Sequence, residues 1–195
     1  MIASVLKLSR SDFNNLRITD PYSIHRVIYS LFPKENGGRD FLFVDKGGDF
    51  EERKILILSK RPPLCPEYGI IEQKNIPDSF LKEDRYGFEI RLNAVKRSKQ
   101  NGKIVAIFDR ESLFEWFCSK SEGWGFITER DSLQIQSTGV QTFNKQENQI
   151  TQNAVVFIGK LRVNDRSLFV KSFEEGIGRG KGFGFGLLQI VPLCN

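Results

Sequence analysis

The order of strand-like and helix-like stretches limits this chain more than any single motif does. Residues 2–9, "IASVLKLS", alternate apolar and polar side chains, the two-residue period of a strand covered on one face. In "DPYSIHRVIYSLFP", Asp20 supplies a helix N-cap, Pro21 the first helical position and Pro33 a stop. Between them Ile24, Val27, Ile28 and Leu31 recur at i, i+3, i+4 and i+7, so the helix is predicted to bury that stripe. "RDFLFVD" and "RKILILS" flank Gly47-Gly48 as the two strands of a hairpin. A proline-rich connection leads to another strand, "YGFEIRLNAVK". The first half thus runs strand, helix, strand, strand, an irregular or helical segment, strand.

The second half follows the same order in outline, without a residue-level repeat. "GKIVAIF" is a strand, and "DRESLFEWFCSKSEG" a helix capped by Asp109, with Leu113, Phe114 and Phe117 facing the core and Gly123 near its end. Strands follow in "GFITE", "LQIQSTGVQTF" and "AVVFIGKLRV", and the polar "NKQENQITQN" forms an exposed hairpin tip. "NDRSLFVKSFEEG" is the second helix and "FGLLQIV" the closing strand. Two βαββαβ units in tandem account for both halves. The expected fold is α+β, with two ferredoxin-like, RNA-recognition-like domains, residues 1–97 and 98–195, joined near "KRSKQNGK".

At 195 residues, 39% of them hydrophobic, the chain is long enough for a buried core without staples. Lysine and arginine outnumber aspartate and glutamate by 29 − 24 = 5, which favours a polyanionic partner over a membrane or a basic substrate. Cys65, Cys118 and Cys194 are odd in number, widely spaced and without a CxxC pair, which argues against a disulfide framework or zinc knuckle. One histidine excludes a multi-histidine metal centre. With no long apolar segment, the expectation is a cytoplasmic protein with no membrane contact, no cofactor and no structural metal.

Three features carry candidate chemistry. The first is "GIGRGKGFGFGLL", with six glycines in the eleven residues from Gly176 to Gly186 and Arg179 and Lys181 between them. So much bare backbone serves unusual dihedrals or close approach. One reading is an anion-binding nest supplemented by the two cations; the other is a loop or bulged strand with a purely structural task. The spacing matches no nucleotide-binding phosphate loop, which disfavours a nucleotide-hydrolysing enzyme. The second feature is His25, the only histidine, with Tyr22 one helical turn before it. A side chain titrating near neutrality can accept and donate a proton, and with no serine or cysteine motif the nucleophile would come from the substrate, as the RNA 2′-hydroxyl does. The alternative is a half-packed histidine without a role. The third is basic: "RLNAVKRSKQNGK" holds five cations, including Lys96, Arg97 and Lys99, and no acid, while Arg26, Lys34 and Arg39 surround the first helix. These positions suit phosphate contacts or a plain solvated face.

Together, "YSIHRVIYSLFP", "RDFLF", "RLNAVKRSKQNGK" and "GIGRGKGFGFGLL" resemble, in that order over nearly the whole chain, the CasE (Cse) family of CRISPR-associated endoribonucleases from type I-E systems. The resemblance implies cleavage of the repeat stem-loop of precursor CRISPR RNA, retention of the product and assembly with other Cascade subunits. It implies metal-free attack of a 2′-hydroxyl on the adjacent phosphorus with departure of the 5′ oxygen, leaving a 2′,3′-cyclic phosphate or 3′-phosphate. His25 is then general acid or base, and Tyr22 orients it, the hydroxyl or the phosphate. The RNA-contact set it suggests is Arg26, Lys34, Arg39, Lys96, Arg97, Lys99, Arg179 and Lys181 with Gly178, Gly180 and Gly182. Two rivals share these features: a non-catalytic guide-RNA scaffold of the same superfamily, and a general RNA-recognition module, whose aromatic strand motif "RGKGFGFGLL" partly mimics.

Overall fold

The computed structural model describes residues 1–33, 39–49, 51–98, 100–145 and 148–193, without the side chains of 143–150. Lys34 and Lys99 therefore lie outside the described residues, as does Cys194. The first sheet contains β1 (Ile2–Ser9), β2 (Phe41–Gly48), β3 (Glu52–Ser59) and β4 (Ile70–Asn75), in the order β2-β3-β1-β4 with every pair antiparallel. Leu6 stands opposite Ile55 on one side and Ile71 on the other. Two helices follow β1: α1 (Arg10–Asn15) and α2 (Pro21–Ser30).

The start of α2 follows its sequence signals. The Asp20 carboxylate accepts from the Ser23 amide at 2.8 Å and Pro21 opens the helix, a cap worth about 1 kcal/mol. Ile24 and Ile28 then pack with Leu6, Leu8, Ile55, Ile57 and Phe43 on one face of the sheet. On the opposite face Leu42, Val44 and Leu58 meet Phe173 and Leu187 from the second half of the chain. Burial on both faces explains why β2 begins as the unbroken apolar run "FLFV".

The second sheet is built from β5 (Arg85–Leu92), β8 (Phe126–Thr128), β9 (Gln134–Lys145), β10 (Asn148–Val163) and β11 (Gln189–Pro192). Its order is β11-β5-β10-β8, and β9 shares with β8 the edge of β10 that faces away from β5. Between β5 and β8 come a two-stranded ribbon of β6 (Val95–Arg97) and β7 (Ile104–Ala106), then α3 (Arg110–Ser121); α4 (Arg166–Glu175) follows β10. In each sheet the strands run fourth, first, third, second, so the chain is a tandem of ferredoxin-like units. Tyr86, Phe88, Ile90 and Leu92 alternate into a core with Leu113 and Phe117 of α3 and Phe169 of α4.

Several elements differ from the sequence expectation. The strand expected to end the first half, Tyr86–Lys96, is the inner strand β5 of the second sheet, because its alternate apolar residues find their cover on α3 and α4. The first sheet is closed instead by β4, whose mostly exposed "IIEQKN" gave no apolar run to recognise. The segment "GKIVAIF" does not open the second sheet: only Ile104–Ala106 is strand, it pairs with β6, and Ile104 and Val105 stay exposed. Of the irregular or helical alternatives for the connection after β3, the structure has the irregular one: residues 60–69 cross with Pro62, Pro63 and Pro66, and the Leu64 amide donates to the Leu31 carbonyl at the end of α2 at 2.9 Å. Helix α1 is an addition, started by a capping box in which Ser9 and Asp12 exchange side-chain and backbone bonds. Among the described residues, no helix is long and apolar enough to cross a membrane.

Five of the six loop glycines have positive φ, and Gly186 shows why: at φ +82° an added Cβ would lie 2.3 Å from the Ile177 carbonyl oxygen. Gly186→Ala is expected to cost about 2–4 kcal/mol, combining left-handed strain with a backbone clash. Gly139→Ala, where nothing lies within 4 Å, stays within about 0.5 kcal/mol. Urea denaturation of the two variants beside the parent chain checks the contrast.

Candidate active site

Helix geometry puts Tyr22, His25 and Tyr29 on one stripe, beside the buried Ile24–Ile28 stripe. The Tyr22 and His25 rings stack with centroids 5.5 Å apart and planes 13° from parallel. Tyr29 approaches the imidazole with ring centres 4.0 Å apart and planes tilted by 36°, and Phe183 of the glycine loop stacks at 5.0 Å. The polar anchor is Nδ1 of His25, 2.7 Å from the carbonyl oxygen of Gly182. A carbonyl oxygen only accepts, so Nδ1 carries the hydrogen and Nε2 presents a lone pair when the ring is neutral. An otherwise ordinary helical histidine is thereby fixed in tautomer and ring plane.

The loop that supplies this carbonyl is pinned at both ends. Ile177 N donates to Gly186 O at 2.9 Å, Gly186 N to Arg91 O of β5 at 2.8 Å, and Phe183 N to Gly180 O at 2.8 Å within a single helical turn, Lys181–Phe183. Those amides are spent inside the fold, which removes them from any anion nest. Gly182 is the exception to the positive-φ rule, and its need is spatial. A Cβ there would stand 3.2 Å from Tyr29 Oη, 3.5 Å from Arg39 Nη1 and 3.8 Å from His25 Nδ1. Gly182 thus marks the point where α2, the loop and Arg39 converge.

The expected cations divide. Arg39 is exposed and beside Gly182. Arg26 is exposed, its guanidinium carbon 6.0 Å from the Tyr22 ring centre, so two cations flank the His25 stripe. Lys181 turns back into the loop and donates from Nζ to the Glu175 carbonyl at 2.8 Å, at the end of α4. Burial first, and Arg39 second, hold its ammonium below the usual lysine range, with Glu175 opposing. Arg179 and Gly178 are exposed on the loop, while the place of a Gly180 side chain is filled by Gln152 and Phe185. Lys96 and Arg97 sit on the β6–β7 ribbon, where Arg97 donates to Gly102 O at 3.0 Å. No described contact joins either to α2, but the ribbon leaves β5 just beyond Leu92, the residue nearest Gly178.

Sequence reasoning missed two members. Tyr29 stands four residues after His25, so helical spacing was a sufficient signal; Phe183 belongs to a loop 158 residues away, and nothing local pairs it with a histidine. Beyond Phe183 opens a cleft of about 630 Å³ between the N-terminus of α2, β2 and strands β5 and β9. Among the described residues no three His, Cys, Asp or Glu side chains converge as a metal site.

Comparison with known proteins agrees with this architecture. The chain is 26% identical over 188 residues to the CRISPR system Cascade subunit CasE of Escherichia coli (strain K12), covering 89% of this chain and 93% of that one. It is 24% identical over 196 residues to CRISPR-associated endoribonuclease Cse3 of Thermus thermophilus, covering 90% and 92%. A solved structure of CRISPR endoribonuclease Cse3 bound to a 19-nucleotide RNA superposes with a TM-score of 0.84 at 25% identity, over 98% of this chain and 100% of that one. The family profile described as CRISPR associated protein matches residues 2–192, and the chain belongs to that family.

Proposed function

We propose that this chain is an endoribonuclease that cleaves the repeat stem-loop of precursor CRISPR RNA by 2′-hydroxyl attack and keeps the product within a Cascade assembly. The observation that carries the reading is the bond from His25 Nδ1 to the Gly182 carbonyl, which leaves Nε2 as the proton-transfer atom. In the reaction the 2′ oxygen bonds to the adjacent phosphorus, the bond from phosphorus to the 5′ oxygen breaks, and a 2′,3′-cyclic phosphate forms. The neutral imidazole takes the 2′-hydroxyl proton at Nε2; the imidazolium, stabilised by the Gly182 carbonyl, can return a proton to the leaving 5′ oxygen. Tyr22, stacked on the ring, orients it and the reacting group. Arg39 and Arg26 are the cations placed to offset charge on the phosphorane.

RNA contact outside the reacting linkage falls to Arg179 and Gly178 on the exposed rim of the loop, and to Lys96 and Arg97 on the ribbon. For Lys181 and Gly180 the support is for loop geometry rather than phosphate binding. On sheet membership we place the division of the two units between β4 and β5, ahead of the 97/98 boundary expected from the order of elements and the linker near "KRSKQNGK". The E. coli relative is named a Cascade subunit, and we assign this chain partners of the same kind. The cytoplasm, where precursor RNA is made, is the compartment this reading assigns.

In excess EDTA, the wild-type chain is expected to cut a labelled cognate stem-loop once, and His25→Ala to lose about 10²–10⁴-fold in single-turnover rate while binding the RNA within about threefold. A 2′-deoxy nucleotide at the cut site abolishes cleavage by wild type. Binding without cleavage by the wild-type chain would leave only the scaffold reading. Gly182→Ala places a methyl group against Tyr29 Oη and Arg39 and is expected to slow cleavage about tenfold with little change in melting temperature, because a small displacement of the imidazole is costly. Rapid-quench kinetics beside a melting curve separate that outcome from general destabilisation.

A further inference from the structure

Of the cations lining the cleft beyond Phe183, Arg91 makes no ion pair among the described residues. Arg53 makes a two-pronged pair with Asp45, and Asp45 also accepts from the Gly47 amide at 2.9 Å. Lys46 pairs with Glu89 at 2.5 Å, and Asp20 is committed to capping α2. Arg91, on β5, makes no ion pair among the described residues. One of its five N–H donors goes to Gln141 Oε1 at 2.8 Å, and its guanidinium lies 4.9 Å from the centre of the Phe185 ring. Burial pushes this guanidinium below the usual arginine range, with Asp45 a weaker opposing influence. The side chain is therefore held in plane by stacking and by one hydrogen bond, with its other donors unassigned and its charge partly removed from water.

The surroundings say what would complete it. The cleft's roughly 630 Å³ is within the range that holds a nucleotide-sized ligand. Its β9 wall offers the hydroxyl of Ser137, which stands in the cross-strand row of Val156 and Arg91, is exposed and has no hydrogen-bond partner among the described residues. Phe183 forms the boundary with the active site, since it lines the cleft and also stacks on His25. Gln141, the residue holding Arg91, reaches the Phe183 carbonyl at 3.4 Å, so the wall of the cleft and the histidine's own loop are tied together.

We propose that Arg91 binds a phosphodiester of the RNA strand next to the scissile one, and that the cleft receives the nucleotide attached to it. This rests on the endoribonuclease reading for the identity of the strand. An arginine fork whose remaining donors meet no acceptor among the described residues suits a phosphate better than a base edge, and the hydroxyl of Ser137 suits the sugar. The subsite contributes to holding RNA, not to proton transfer.

The test uses the full chain and a stem-loop RNA made uncleavable by a 2′-deoxy nucleotide at the cut site, with single methylphosphonate linkages stepped along the flanking strand. Wild type is expected to lose about tenfold in affinity at one linkage neighbouring the cut. Arg91→Gln is expected to bind unmodified RNA about tenfold more weakly and to be indifferent to that same substitution, with Arg91→Lys between the two. Equal sensitivity of Arg91→Gln and wild type at every linkage would overturn the proposal, as would a wild-type scan in which no neighbouring linkage matters. That scan decides even if Arg91→Gln fails to fold. Because the readout is binding, absence of cleavage by wild type would sink the enzyme reading without being mistaken for failure of the cleft.

Discussion

The contact on which the arrangement of the site depends is the seating of the glycine loop against α2. Its centre is the bond from His25 to the Gly182 carbonyl, made across 157 residues of sequence, with Phe183 stacked beside it. Glycine suits this close approach of a carbonyl to an imidazole, because an added Cβ at Gly182 would crowd Tyr29 Oη and touch Arg39 and His25. The other glycines serve the same end less directly. Their positive φ values let the loop leave α4, turn over β2 and return to β5 within eleven residues. Arg179 and Lys181, which suggest a shared phosphate role on paper, are separated by this geometry: one faces solvent and the other closes the end of α4.

The loop can be held because the two units share a core. Leu42, Val44 and Leu58 of the first sheet pack on Phe173 and Leu187 from either side of the loop, so the loop's ends are fixed by burial before its middle touches α2. The ion pair from Lys46 to Glu89 crosses the same boundary, though an exposed pair of this kind adds little stability. It engages Lys46, which lines the cleft, as Asp45 engages Arg53 there. The electrostatics of the cleft are thus set by which cations have been neutralised, more than by how many are present.

Much of this was legible in residues close together along the chain. The N-cap at Asp20, the stripe of Ile24 and Ile28, the cap at Asp109 and the pairing of Tyr22 with His25 each depend on neighbours within one or two helical turns. Tyr29 was legible in the same way and was passed over. Strand existence was also readable where apolar residues alternate, as in β1 and β5. Strand β4 was not, because an edge strand with exposed side chains carries no hydrophobic signal, and the true length of β7 was masked by an apolar run that stays largely in solvent.

By itself the sequence determined most of the helices and the alternating strands and the requirement, at most positions of the loop, for a backbone that glycine tolerates best. These follow from dihedral preference, capping and periodicity, which act between near neighbours. Tertiary structure decided the rest: that "YGFEIRL" belongs to the second sheet, that the imidazole hydrogen sits on Nδ1, and that Arg91 is held by Gln141 beside the histidine's loop with no ion pair among the described residues. Each of those depends on which distant surface covers a face or meets a donor. That choice is made by the burial of whole sheets, and no short stretch of this chain contains it.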